Sequence, residues 1–153
     1  MSDVLSTYSF RDVNVSFSNT NLGIAILFGG GSTQGVNEIT VRMSTDRTTE
    51  KVGADGSVMP SAIPGDNGEV EIQVLQTSVA HQQFLNWFNQ LITLSLSGNV
   101  DNWATTKCFI QLITNGTSHN CSGVSPVKMP DIPYAAEGGT INWVFRCANI
   151  YNS

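Results

Sequence analysis

The chain has 153 residues, of which 41% are hydrophobic, enough for one domain with a real core and too few for two of ordinary size. Charged residues make up only 12%, about half the usual share, while Gly, Ser, Thr and Asn abound and β-branched residues recur in short runs, a composition of strands and turns. With 7 basic against 12 acidic side chains the formal charge is -5, so the surface as a whole repels phosphate, which excludes a basic nucleic-acid binder that gains from counterion release.

The longest apolar stretch, Ile24 to Phe28, is far below a bilayer span, and Met1-Ser2-Asp3-Val4 lacks a signal-peptide pattern, so a soluble protein made in the cytoplasm is expected. Cys108, Cys121 and Cys147 are odd in number and contain no C-x-x-C pair, which argues for free buried thiols over a disulfide framework or zinc ribbon.

From Tyr8 to Phe17 the apolar positions Tyr8, Phe10, Val13, Val15 and Phe17 slip by one residue near Asp12, which predicts a strand with a bulge or bend. After a turn at Asn19 and Asn21, Leu22, Ile24, Ile26 and Phe28 predict a second strand, with Ala25 and Leu27 on a partly covered second face. Gly29-Gly30-Gly31 ends it. Ile39, Val41 and Met43 then alternate with Glu38, Thr40, Arg42, Ser44 and Asp46, and Val70, Ile72 and Val74 alternate with Glu69, Glu71 and Gln73. Each segment therefore has one apolar and one hydrophilic face. Between them, Arg47 to Gly68 carries Gly53, Asp55-Gly56, Pro60, Pro64 and Asn67-Gly68, turn chemistry spread over a long loop.

A helix is expected from Val79 to Leu91, capped by Thr77 or Ser78, with Phe84, Trp87, Phe88 and Leu91 on the face that pins it to a sheet. After Gly98-Asn99, strands return at Thr106 to Leu112, near Val124 to Met129, and over Ile141, Trp143, Phe145 and Cys147, with a turn at Asn115-Gly116. Pro126, Pro130 and Pro133 suit an edge or linker. Two polar-faced ribbons with unpaired edges would be completed by neighbouring copies: a closed ring removes the edges and makes the polar faces either the outside or the lining of a wide barrel.

Enzyme chemistry finds little support. Gly30 to Gly35 has P-loop glycine spacing, but Val36 and Asn37 stand where Lys and Ser or Thr are required. His119 and Cys121, with Cys108 across a hairpin, form too small a cluster for a metal site, and a surface turn is the better reading. His81 lies in the first turn of the helix as a half-exposed packing residue with no G-x-S-x-G nucleophile elbow, Glu69 and Glu71 share a face without a pocket, and Trp87 and Trp143 read as core aromatics.

Several segments resemble one family, the short tail tube proteins of contractile-tailed bacteriophages. Tyr8-Ser9-Phe10-Arg11-Asp12-Val13 is similar to that family's opening strand. Ile39-Thr40-Val41 followed by Val52-Gly53-Ala54-Asp55-Gly56-Ser57-Val58-Met59 is similar to its most recognisable segment. Leu75-Gln76-Thr77-Ser78 and Tyr134-Ala135-Ala136-Glu137-Gly138-Gly139-Thr140 before Trp143-Val144-Phe145 follow in the expected order; Leu22 to Phe28 and Leu91 to Thr106 carry no family motif.

The resemblance implies a mainly β domain spanning 1–153, a β-sandwich or rolled barrel with one flanking helix, assembled as hexameric rings with a continuous inner β-barrel and stacked inside a sheath. It implies a virion tail protein assembled in the host cytoplasm, without cofactor or catalysis. Its partners would be copies of itself, sheath, baseplate and terminator proteins, with DNA passing unbound. Similar tubes serve bacteriocin tails and type VI secretion. On this view Glu38, Thr40, Arg42, Ser44, Asp46, Glu69, Glu71 and Gln73 line the bore, four acids against one base, where the residues alone would equally give a solvated sheet face, and Arg47, Lys51, Gly53, Asp55, Gly56 and Met59 belong to a loop that holds successive rings together, where the residues alone favour a mobile surface loop. The competing reading is a small β-sandwich binding module such as an adhesin or carbohydrate-binding domain, and the remotest a thiol- or metal-dependent hydrolase.

Overall fold

The computed structural model describes residues 7–29 and 35–153. The slip near Asp12 is a short 3-10 turn, Phe10–Asp12, capped by the Ser9 side chain, which hands the chain to β1, Val13–Asn19, with Val15 and Phe17 inward. β2, Ile24–Gly29, pairs with β1 as an edge strand. Ile26 is buried there while Leu27 is 64% exposed, so among the described residues nothing supplies the expected cover on the second face. The glycines 30, 31 and their P-loop-like spacing fall outside the described residues.

β3, Val36–Met43, and β6, Gly68–Leu75, pair in the register the alternation demands, with Ile39 opposite Ile72 and Val41 opposite Val70. The segment between them, which turn chemistry alone presents as a loop, is an antiparallel ribbon of β4, Thr48–Val52, and β5, Val58–Ala62. It makes no ladder with the main sheet.

Helix α1, Val79–Leu96, begins where Ser78 Oγ accepts from the His81 amide at 3.1 Å. Ala80, Phe84, Trp87 and Leu91, spaced four, three and four apart, are its buried stripe. It runs past the expected end at Leu91 because the first residue able to reverse the backbone is Gly98, whose φ of 85° is the left-handed stop a helix end favours. β7, Thr106–Leu112, β8, Thr117–Pro126, and β9, Thr140–Asn152, complete one seven-stranded sheet in the order β2-β1-β7-β8-β9-β6-β3. Pro126 closes β8, and Pro130 and Pro133 lie in the extended connection to β9, as a prolyl linker should.

The sheet is rolled, and one contact shows it. β1 and β9 are three strand spacings apart, roughly 14 Å in a flat sheet, yet the rings of Phe17 and Phe145 sit 5.1 Å apart. The two halves close on α1: Phe84 reaches Phe17 at 5.3 Å and Phe145 at 5.0 Å, and Trp87 stacks on Phe145 at 5.4 Å. A bulge between β7 and β8 helps the bend. Two residues of β8 there, Ser122 and Gly123, stand against one of β7, and Gly123 takes a φ of 64° with its α-carbon facing Ala148 so closely that a β-carbon would lie 2.6 Å from the alanine methyl.

Cys108, Cys121 and Cys147 are free and buried on three adjacent strands, as their number suggests. Cys108 and Cys121 are direct cross-strand neighbours. Cys121 accepts from both other thiols, which draws its pKa down and pushes theirs up.

Candidate functional site

With the helix and aromatic rings on the inner side of the roll, the other face of β3, β6 and the first half of β9 is left to polar residues. Strand alternation decides which ones. Thr40 faces Glu71, Arg42 faces Glu69, and Glu38 faces Gln73, so one row from each strand meets its neighbour across the ladder. Arg42 Nη2 donates to Glu71 Oε2 at 2.8 Å and lies 3.6 Å from Glu69, while Arg146 of β9 lies 3.4 Å from the same Glu69. Gln73 Oε1 accepts from Asn37 Nδ2 at 2.6 Å. Glu38, Thr40, Arg42, Glu71, Gln73 and Asn142 together line a shallow hollow of about 320 Å³.

This face differs from the sequence expectation in two places. Ser44 and Asp46 lie beyond the end of β3, in the bend that leads to the ribbon, because Met43 opposite Gly68 is the last paired residue and the Ser44 amide turns to Asn67 O at 3.0 Å. Arg146 was missing from the sequence reading, although its signal was present: the alternation that puts Ile141, Trp143 and Phe145 inward puts Asn142, Val144 and Arg146 outward. On the strands, then, three carboxylates (Glu38, Glu69, Glu71) meet two guanidinium groups (Arg42, Arg146), with Lys128 beside Glu69 and Arg146 at the rim. The face is hydrophilic and almost charge-balanced instead of strongly acidic.

The ribbon is built differently. Arg47 stands at its base and donates to Gly65 O at 2.9 Å and Asp66 Oδ1 at 2.6 Å, tying the two ends together. Lys51 and Met59 are opposite each other midway, and Gly53, Asp55 and Gly56 form the tip. There Gly53 N donates to Ser57 O, and Asp55 Oδ1 accepts from the amide and hydroxyl of Ser57 at 3.0 and 2.6 Å, which holds its pKa below the usual carboxylate value. Gly56 has a φ of 88°, the conformation other residues resist, whereas Gly53 does not take a positive φ and is needed for space beside Asp55 and Ser57. Val52, Val58 and Met59 are all more than half exposed.

The catalytic alternatives lose their geometry. His81 is buried, not half-exposed, and its Nδ1 accepts from Trp143 Nε1 at 3.0 Å, an assignment that leaves the imidazole neutral. Trp87 and Trp143 are core residues, 2% and 0% exposed. His119 lies within β8, not in a surface turn, and its Nδ1 is 2.6 Å from Asn152 Oδ1. Glu69 and Glu71 spend their oxygens on the two arginines.

Burial pushes the His81 pKa below its ordinary 6.5. The folded chain thus binds this proton less tightly than the unfolded chain, so the stability from neutral His81 is complete above about pH 6.5 and is lost as pH falls below it. Thermal melts from pH 7 to pH 5 should show a steeper decline for the natural chain than for His81→Gln. Equal slopes would mean that His81 titrates alike in both states.

A family model described as bacteriophage PhiTE tail tube protein matches residues 5–153. The chain belongs to that family. It is a structural tube subunit, and the tail tube protein's β-rich fold is found again among solved structures. The match to a chain of an extracellular contractile injection system, in "PVC sheath/tube terminator in extended state", has a TM-score of 0.65 at 11% identity and covers 99% of both chains. A chain of the "PVC sheath-tube complex in extended state" gives 0.62 at 12% identity, covering 96% of the tail tube protein and 91% of that chain. A chain of the "anti-feeding prophage (AFP) baseplate, 6-fold symmetrised" gives 0.62 at 13% identity, covering 100% and 97%. At these identities the likeness concerns fold alone. No curated protein matches the tail tube protein by sequence.

Proposed function

We propose that six copies of this tail tube protein close into a ring in which the polar face of β3, β6 and β9 forms the bore wall, that rings stack through the β4–β5 ribbon, and that DNA passes through the stack without being held. A sheath would surround it, a baseplate and a terminator would close its ends, and the particle would be a contractile phage tail or a related injection device. The observation that carries this reading is the ionic row Arg146–Glu69–Arg42–Glu71. It runs along a largely hydrophilic sheet face, on the side away from the core, and its four charges are satisfied among themselves. A wall of that kind offers phosphate neither a run of free cations nor a strong barrier, so each base pair moves past without a counterion-release gain.

The sheet edge at β3, which borders the polar face and is unpaired among the described residues, supports ring closure, since closure gives a partner to an edge that otherwise invites aggregation. Electron microscopy of the purified protein at high concentration should show rings or tubes. A chain that stays monomeric and binds a glycan would instead favour the binding-module reading. Replacing Thr48–Ala62 by a short glycine turn should leave rings and abolish tubes, because among the described residues the ribbon makes no ladder with the main sheet; tubes of normal length would refute a stacking role.

A further inference from the structure

The two long edges of the β4–β5 ribbon are not equivalent. At its tip Gly53 N donates to Ser57 O, and at its base Ile63 N donates to Arg47 O. Antiparallel pairs alternate between hydrogen-bonded and non-hydrogen-bonded. The pairs 47:63, 49:61, 51:59 and 53:57 are therefore the bonded set, and Thr48:Ala62, Glu50:Pro60 and Val52:Val58 are the set whose backbone groups point outward. On the β4 side, Thr48, Glu50 and Val52 present an unbroken row of N–H and C=O groups, every residue of the strand is exposed, and no third strand among the described residues covers the row. On the β5 side the middle position is Pro60, which has no N–H, so the outward row is interrupted where a further strand would need its donor.

We propose that the outer edge of β4 is an attachment edge on which a second copy of this chain adds an open edge strand of its sheet, and that Pro60 closes the opposite edge so that the ribbon is extended on one side only. The inference rests on the stacking reading above, with the second copy in the adjoining ring. A second copy is the fitting occupant because, with β3 used in closing the ring, the same chain still carries a sheet edge at β2 that is unpaired among the described residues, the backbone complement of an unpaired strand. One-sidedness makes the contact head-to-tail, so each subunit gives its ribbon in one direction and receives one from the other, which is the symmetry of a polar stack. A ribbon open on both edges would also recruit strands where none belong.

Two measurements test it. In Glu50→Pro the outward donor of β4 is deleted at a position already outside the internal ladder and already facing a proline, so the ribbon itself is kept. Rings should still form, while the yield of tubes should fall roughly tenfold or more; Glu50→Ala, which keeps the amide, should assemble as the natural chain does, whereas Pro60→Thr, which restores a donor on the second edge, should form tubes together with side-by-side aggregates. Hydrogen exchange on the unsubstituted protein needs no variant: the Thr48, Glu50 and Val52 amides should exchange freely in rings and be protected in tubes, together with amides of β2, while Val58 and Ala62 stay fast. Normal tubes from Glu50→Pro, or protection on β5 instead of β4, would overturn the edge assignment. If removing the whole ribbon stops stacking and Glu50→Pro does not, the stacking role stands and only the edge inference fails; tubes that survive both changes defeat the two together.

Discussion

Phe145→Ala should remove about 3–5 kcal/mol of folding stability, the usual cost of truncating a buried phenylalanine. Natural domains hold only about 5–15 kcal/mol in total, so the denaturant midpoint should fall by about a fifth or more. The reason lies in where the ring sits. Phe145 is fully buried and touches Phe17 from the far half of the roll, Phe84 and Trp87 from the helix, and Trp143 from its own strand at 6.1 Å. No backbone ladder joins β1 to β9 directly, so the rolled shape depends on these rings meeting. A loss below about 1 kcal/mol, the range of ordinary surface substitutions and small repacking, would show that the roll closes by other means.

The largest functional effect is expected from Glu69→Lys combined with Glu71→Lys. The strand face would change from three carboxylates against two guanidinium groups to one carboxylate against four cations, and Arg42 and Arg146 would lose their partners. Folding stability should shift little, since exposed ion pairs contribute about 0–1 kcal/mol each. Transit of DNA should slow markedly and recover as salt is raised, because each added cation contributes to the logarithmic salt dependence of phosphate binding. An ejection rate and salt profile equal to those of the natural particle would place this face away from the bore. A large drop in melting temperature with no change in salt dependence would give the row a structural role alone.

Much of this architecture can be read from the chain because burial leaves a periodic trace. The alternation at Val70, Ile72 and Val74, the helix stripe at Phe84, Trp87 and Leu91 and the serine cap before Val79 all mark surfaces that face a core. The parts that escape are those whose partners lie elsewhere. β4 and β5 bury no face within the chain, so Val52 and Val58 carry no alternation and the glycines speak only of turns. Over its first half β8 carries His119 and Cys121 instead of aliphatic residues on the face it shares with Ile110 and Cys108, which hides the strand. His81 becomes a buried acceptor only because Trp143, 62 positions later, brings its indole N–H to it. Arg146 shows the opposite case, a polar residue whose place was implied by its apolar neighbours.

β9 is flanked on both sides, by β6 along its first half and by β8 along its second, and this gives the body a direction of mechanical strength. A pull along β9 strains both hydrogen-bond rows in shear, many bonds at once. A pull that unrolls the sheet works against side-chain packing instead of a hydrogen-bond row and can separate those contacts one after another. A subunit loaded along its strands is stiff, and the same subunit pried open across them is soft.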